Sequence, residues 1–349
     1  MQNENYRTII VDASSDFLEC SVASDTAPFL ILAYYHFTKV DDPKARVEEH
    51  FSFFKGRDVK GRIYIANEGI NGTLSAPAAE AIAYMKWMKN HPLYAGIVFK
   101  AQEDTIHAFA KLTVKVKKEL VAYGHEVSLA DGGTHVTSAQ WRKMLEEETD
   151  KVVLDIRNDY EWQLGHFDQA EAPPCATFKE FREYAEELEK RIDIKNTKVM
   201  MYCTGGIRCE FFSAVLKERG IEQVFQLDGG IIKYGAEEKS AHWLGKLFVF
   251  DDRLSIPISE EKAPVIGKCY HCGVEAEKYY NCANMDCNTL FLCCASCLET
   301  HKGCCKDTCA GGSRVRPFKF ASTPFRKWYN YASTKRELDT LCGGCSAAK

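Results

Sequence analysis

The residues best suited to chemistry are Cys203-Thr204-Gly205-Gly206-Ile207-Arg208, which follow the apolar run Val199-Met200-Met201-Tyr202. A cysteine is a nucleophile as its thiolate, and its ordinary pKa of about 8.5 must fall for that form to dominate at neutral pH. This segment contains the means to lower it. Gly205 and Gly206 let the backbone curl so that successive N–H groups point inward, and a helix starting near Arg208 adds its positive end. The Arg208 cation closes the loop and favours the thiolate further. The same cradle suits the anion of a cysteine persulfide. A lone cysteine at a strand end is otherwise more often a small, inert core residue. Cys209, directly after the loop, either resolves an oxidised Cys203 or faces the core as a small side chain.

A second sulfur-rich region reads Cys269-x2-Cys272, Cys282-x4-Cys287, Cys293-Cys294-x2-Cys297 and Cys304-Cys305-x3-Cys309, ten of the chain's 16 cysteines. Tetrahedral zinc takes four soft ligands, and close cysteine pairs on turns supply two at a time, so four pairs can hold two ions. The expected ligands are Cys269, Cys272, Cys282, Cys287, Cys294, Cys297, Cys305 and Cys309, with Cys293, Cys304, His271 and His301 in reserve. Which pairs share a metal stays open. A segment this poor in large apolar side chains needs metal to fold, which points to a structural role over a catalytic or iron–sulfur one. Cys342-Gly343-Gly344-Cys345 reads as part of a flexible tail, with a further ligand pair or a redox dithiol as the alternatives.

From 310 to 336 the chain has seven basic residues and no acidic one, within a protein of net charge -4. Arg314, Arg316, Lys319, Arg326 and Lys327 alternate with Phe318, Phe320, Phe325, Trp328 and Tyr329. Cations interleaved with aromatics suit phosphate contacts and base stacking on single-stranded or looped RNA. The alternative is a tail whose aromatics pack on the cysteine module while its charges face water.

The elements that must position these groups can be traced along 349 residues, a length suited to two or three domains. Hydrophobic content of 46% and charged content of 27% describe an ordinary globular chain, so any case for nucleic acid is local. No secretory n- and h-region opens the sequence and no apolar run is long enough for a membrane span, so a cytoplasmic protein without membrane contact is expected. Residues 1–27 read as an irregular leader. Residues 28–122 alternate as βαββαβ, a ferredoxin-like order, with Pro43 and Pro77 in first helical turns and Asn71-Gly72 as a hairpin signal. After Asp131-Gly132-Gly133, residues 135–262 alternate strands and helices, the pattern of a parallel α/β sheet, with Cys203 where a strand ends and ligand sites form. A cysteine module over 263–312 and a basic aromatic tail over 313–349 complete an α+β and α/β multidomain partition.

The Cys203 loop, with Asp155-Ile156-Arg157, Glu161-Trp162, Gly165-His166 and Leu227-Asp228-Gly229-Gly230, resembles a rhodanese domain. That resemblance implies a persulfide-forming Cys203 held by the N–H groups of Thr204, Gly205, Gly206 and Ile207, with Asp155 steadying the site. Related phosphatase-like domains use one more loop residue, so the spacing favours sulfur over phosphate. Asp168-Gln169-Ala170 departs from the Pro-Gly-Ala-like turn common there. Together with Asn67-Glu68-Gly69-Ile70-Asn71-Gly72-Thr73 and the cysteine module, the whole chain resembles the bacterial tRNA uridine hydroxylases. The resemblance implies oxygen-dependent formation of 5-hydroxyuridine at the wobble position of tRNA, with Cys203 essential. No flavin, haem or 2-His-1-carboxylate iron pattern is evident, and the electron or sulfur donor is unspecified. A sulfurtransferase passing persulfide sulfur to a thiol or RNA acceptor is the second expectation, and a non-catalytic RNA-binding protein the third.

Overall fold

The computed structural model describes residues 7–12, 28–124, 127–175 and 178–319. Two units divide the chain, Met1–Pro264 and Val265–Lys349. The first begins with β1 (Thr8–Val11), β2 (Phe29–Phe37), α1 (Pro43–Phe54), β3 (Lys60–Ala66), β4 (Gly69–Pro77), α2 (Ala78–Lys89), β5 (Val98–Asp104) and β6 (Leu112–Val116). Strand order is β1-β5-β2-β4-β3-β6, with β3 and β6 parallel and the other neighbours antiparallel. Strands β2 to β5 with α1 and α2 are the expected ferredoxin-like unit, extended at both edges.

Local sequence accounts for much of this. Asp42 caps α1 by accepting from the N–H groups of Lys44 and Ala45, and Pro43 sits at the first helical position, where its missing N–H costs nothing. Three local expectations are corrected. Asn71-Gly72 is not the hairpin turn: Asn67 and Glu68 make the turn, while Gly72 lies inside β4, where a Cβ would come within 2.4 Å of the Tyr34 ring. Pro77 ends β4 and precedes α2 instead of entering its first turn. Thr8–Val11, placed in an irregular leader, pairs with β5 as an edge strand.

The chain continues through β7 (Thr134–Val136), α3 (Ser138–Glu147), β8 (Lys151–Asp155), α4 (Asp159–Leu164), β9 (Gly165–Phe167), α5 (Phe181–Arg191), β10 (Lys198–Tyr202), α6 (Ile207–Glu218), β11 (Val224–Leu227) and α7 (Gly230–Glu238). Its main sheet, β7-β11-β10-β8, is wholly parallel. Both faces are covered, which is why β10 is apolar without alternation. Val199 and Met201 pack with Phe181 and Phe212, whereas Met200 and Tyr202 pack with Trp141, Phe167 and Trp243. Short strands follow: β12 (Trp243–Gly245) pairs with β9, and β13 (Leu247–Phe248) pairs with β14 (Ser255–Ile256).

The two halves of this unit share a core. Ala66 and Leu120 join the cluster around Phe212, and Phe37 meets Phe211 edge-on at 5.3 Å. Asp252 donates its N–H to the Ala108 carbonyl at 2.8 Å, and Arg62 reaches the Phe250 carbonyl at 3.1 Å.

The second unit holds β15 (Tyr279–Asn281), β16 (Leu290–Leu292), α8 (Ala295–Thr300) and α9 (Asp307–Ala310), with β15 and β16 antiparallel. Among the described residues, no helix is long and apolar enough to cross a membrane.

Candidate active site

Strand β10 delivers Cys203 to the carboxyl edge of the parallel sheet, and α6 begins four residues later. Gly206 adopts φ +104, a conformation open to glycine at little cost, and its N–H donates to Cys203 Sγ at 3.1 Å. From the other side, α7 grips the loop: Ile231 N–H donates to the Cys203 carbonyl at 3.1 Å and Ile232 N–H to the Thr204 carbonyl at 3.2 Å. The close approach demands Gly230, since a Cβ there would lie 2.5 Å from the Cys203 carbonyl oxygen.

Cys203 is fully buried. Burial alone would push its thiol up; a hydrogen bond from the Cys209 thiol, the Arg208 charge and the N–H groups of Arg208 and Gly206 outweigh it, bringing the pKa down to about 5. A thiolate at neutral pH results. Cys209 is buried on α6 and its own pKa rises, by burial first and then by donation to Cys203. It therefore faces the core and touches the reactive sulfur at once.

Arg208 is held by Glu161 in a two-pronged ion pair at 2.7 and 2.9 Å, and Thr204 Oγ donates to the same carboxylate at 3.2 Å. Glu161 ties the loop to α4, a role that its place in a sequence motif did not reveal. Asp155 lies in the frame beneath the loop. Its carboxylate takes two hydrogen bonds from the Arg157 guanidinium, at 2.8 and 2.6 Å, one from the Arg157 N–H at 3.1 Å, and one from Tyr202 at 2.8 Å, with both charged side chains fully enclosed. Held by Arg157 and Tyr202 together, it braces β8 against β10.

Sequence reasoning missed the groups arriving from the N-terminal sheet. Lys100 on β5 donates to the Gly205 carbonyl at 2.9 Å, and Tyr35 on β2 donates to Glu210 at 3.1 Å. Glu210 also accepts from Gln226 at 3.2 Å and lies 3.4 Å from His135. Hydrogen bonds with Asp228 and then Glu210 push His135 up to about 10. Lys233 closes the group on Asp228 at 2.6 Å.

In the second unit the eight expected cysteines gather as two quartets, Cys269, Cys272, Cys294 and Cys297, and Cys282, Cys287, Cys305 and Cys309, each with its sulfurs within 4.8 Å of one another. First and third pairs share one site, second and fourth the other. Sulfur separations of 3.8 Å (Cys272–Cys294) and 3.5 Å (Cys287–Cys305) suit the edge of a thiolate tetrahedron, about 3.8 Å for metal–sulfur bonds of about 2.3 Å. Each quartet could therefore hold a metal ion. Cys293, Cys304, His271 and His301 belong to neither; the two imidazoles stack on each other at 3.9 Å.

The basic run divides. Arg316 is 4% exposed and donates to the carbonyls of Ala283, Asn281 and Cys282, so it fastens the cysteine module and is withdrawn from the RNA contact expected of it, which is a correction. Arg314 pairs with Asp286 at 2.6 Å at the surface, and Lys319 is exposed. Arg326 and Lys327 lie outside the described residues.

A parallel sheet ending in a glycine-lined thiolate cradle, fused to a ferredoxin-like domain, defines a rhodanese-type protein: residues 137–237 match the rhodanese-like domain family, 29–120 the UPF0176 acylphosphatase like domain, and 244–310 the rhodanase C-terminal family. The chain is 51% identical over 305 residues to the tRNA uridine(34) hydroxylase of Protochlamydia amoebophila, covering 87% of this chain and 95% of that one. Proteins of the same name from Chlamydia felis (47%; 86% and 94% covered) and Chlamydia caviae (44%; 91% and 98%) are also similar. This chain belongs to the tRNA uridine(34) hydroxylase family.

Proposed function

We propose that this protein is an enzyme that hydroxylates the wobble uridine of tRNA to 5-hydroxyuridine in the cytoplasm, with molecular oxygen as co-substrate and Cys203 as the reactive sulfur. The observation that carries the reading is the Cys203 cradle in a chain that matches named hydroxylases over nearly their whole length. In the proposed reaction the Cys203 thiolate adds to C6 of the uracil ring, and the C5=C6 electron pair moves to C5. C5 then bonds to one oxygen atom of O2, while two electrons from an external reductant and two protons release the other as water. Loss of the C5 proton expels the thiolate and restores the double bond. Arg208 and the loop N–H groups favour the sulfur anion that begins and ends the cycle. Two zinc ions fit the quartets as structural ions, and Arg314, Lys319, Arg326 and Lys327 are assigned to tRNA phosphates.

Mass spectrometry of tRNA nucleosides from cells with and without the gene tests this reading. The expected result is 5-hydroxyuridine with the wild type, and none with Cys203→Ser. Normal 5-hydroxyuridine with Cys203→Ser would remove the sulfur from the reaction. Rapid thiosulfate turnover without any tRNA change would instead mark a sulfurtransferase that uses Cys203 as a persulfide.

A further inference from the structure

Lys100 stands in the middle of β5, opposite Ile10 of β1 and Ala33 of β2, yet its side chain serves the other domain. The residue is 4% exposed, its Nζ donates to the Gly205 carbonyl at 2.9 Å, and the same nitrogen lies 5.2 Å from the centre of the Tyr35 ring. Burial of an ammonium is costly, and here it lowers the pKa to about 8. The negative groups that oppose the shift are Cys203 first, then Asp228 and Glu210. Cation and sulfur anion thus favour each other's charged form.

The hydrogen bond also has a direction. The Gly205 carbonyl and the Gly206 N–H are the two ends of one trans peptide, so they point to opposite sides. Holding the oxygen toward Lys100 aims the hydrogen at Cys203 Sγ, 3.1 Å from the nitrogen. Glycines flank this peptide on both sides, which leaves little steric resistance to a flip that would turn the oxygen onto the sulfur. Hydrogen bonds in series also strengthen one another in a low-dielectric site.

We propose that Lys100 is a positioning residue contributed by the N-terminal domain: it anchors the Gly205–Gly206 peptide so that its N–H faces Cys203, and it sets a cation beside the sulfur anion. The inference rests on Cys203 being the reactive sulfur and makes the companion domain part of the site. Ultraviolet absorbance of the thiolate, taken as the difference between each variant and the same variant carrying Cys203→Ser, titrates this one sulfur in the intact metal-loaded protein. Lys100→Met should raise the midpoint by about one pH unit or more, and Lys100→Gln, which keeps a donor for the Gly205 oxygen without the charge, should raise it less. Lys100→Arg should recover most of the wild-type value. A wild-type midpoint in Lys100→Met overturns the assignment; should that variant not fold, a wild-type midpoint in Lys100→Gln does so. The titration uses no tRNA, so absence of 5-hydroxyuridine alongside a shifted midpoint would overturn the proposed reaction and leave Lys100 in its role.

Discussion

The loop at Cys203 and the quartets of the second unit use the same element in opposite ways. At the loop one sulfur is set among N–H donors, a neighbouring thiol and cations, and the surrounding sheet would exist without it. In the quartets four sulfurs converge on one point, and little else holds the unit: Tyr279, Phe291, Leu292 and Leu298 are its large buried apolar side chains among the described residues. Reactivity thus comes from isolating a thiolate within a finished fold, whereas the quartets set four sulfurs where a metal ion could bridge them.

The largest expected effect tests that contrast directly. Removing metal with a chelator should unfold the quartet unit, a loss of about 10 kcal/mol of apparent stabilisation, while β1 to β14 persist. Hydrogen exchange resolved by segment checks this; unchanged protection in 265–319 would erase the distinction. Next, Cys203→Ser should abolish 5-hydroxyuridine formation without lowering the melting temperature, whereas Cys305→Ser should lower the melting temperature of its unit first. Glu161→Gln strands the enclosed Arg208 and should cost about 3–5 kcal/mol in chemical denaturation, placing an ion pair, not a metal, as the clamp of the loop.

Acid sharpens the picture further. With its pKa lowered to about 5, Cys203 stays a thiolate at neutral pH and protonates only as pH falls through that value. Its thiolate absorbance should therefore disappear around pH 5, not near the ordinary value of about 8.5. A midpoint of about 8.5 would mean that the cradle does not lower it. The smallest effect belongs to the tail: Arg314→Glu with Lys319→Glu should weaken tRNA binding and reduce its salt slope by about one per lost contact, read by affinity at several salt concentrations.

What was legible in the sequence was local. The apolar run of β10, the loop glycines and the cysteine spacings each carry their meaning within a few residues, and the structure has the fold class and both sets of thiols that they imply. The partition of the quartets was hidden, because a spacing shows which cysteines are paired on a turn and not which turns meet. Asn71-Gly72 carries a hairpin signature, but the turn formed earlier and the glycine serves the Tyr34 ring. Lys100 and Gln102 alternate along β5 as the polar side of a half-exposed strand would, and only the second domain on that face makes them buried. Arg316 was disguised in the same way, as one cation in a basic run.

The complete burial of Cys203 has a kinetic meaning. Cys203 has no exposed surface, so any reactant reaches it only in conformations that open its surroundings. When such conformations are a small fraction of the population, the apparent affinity for a substrate that needs them falls by that fraction, and small oxidants meet the same barrier. The reactive anion is thereby kept from casual chemistry in the interval between substrates.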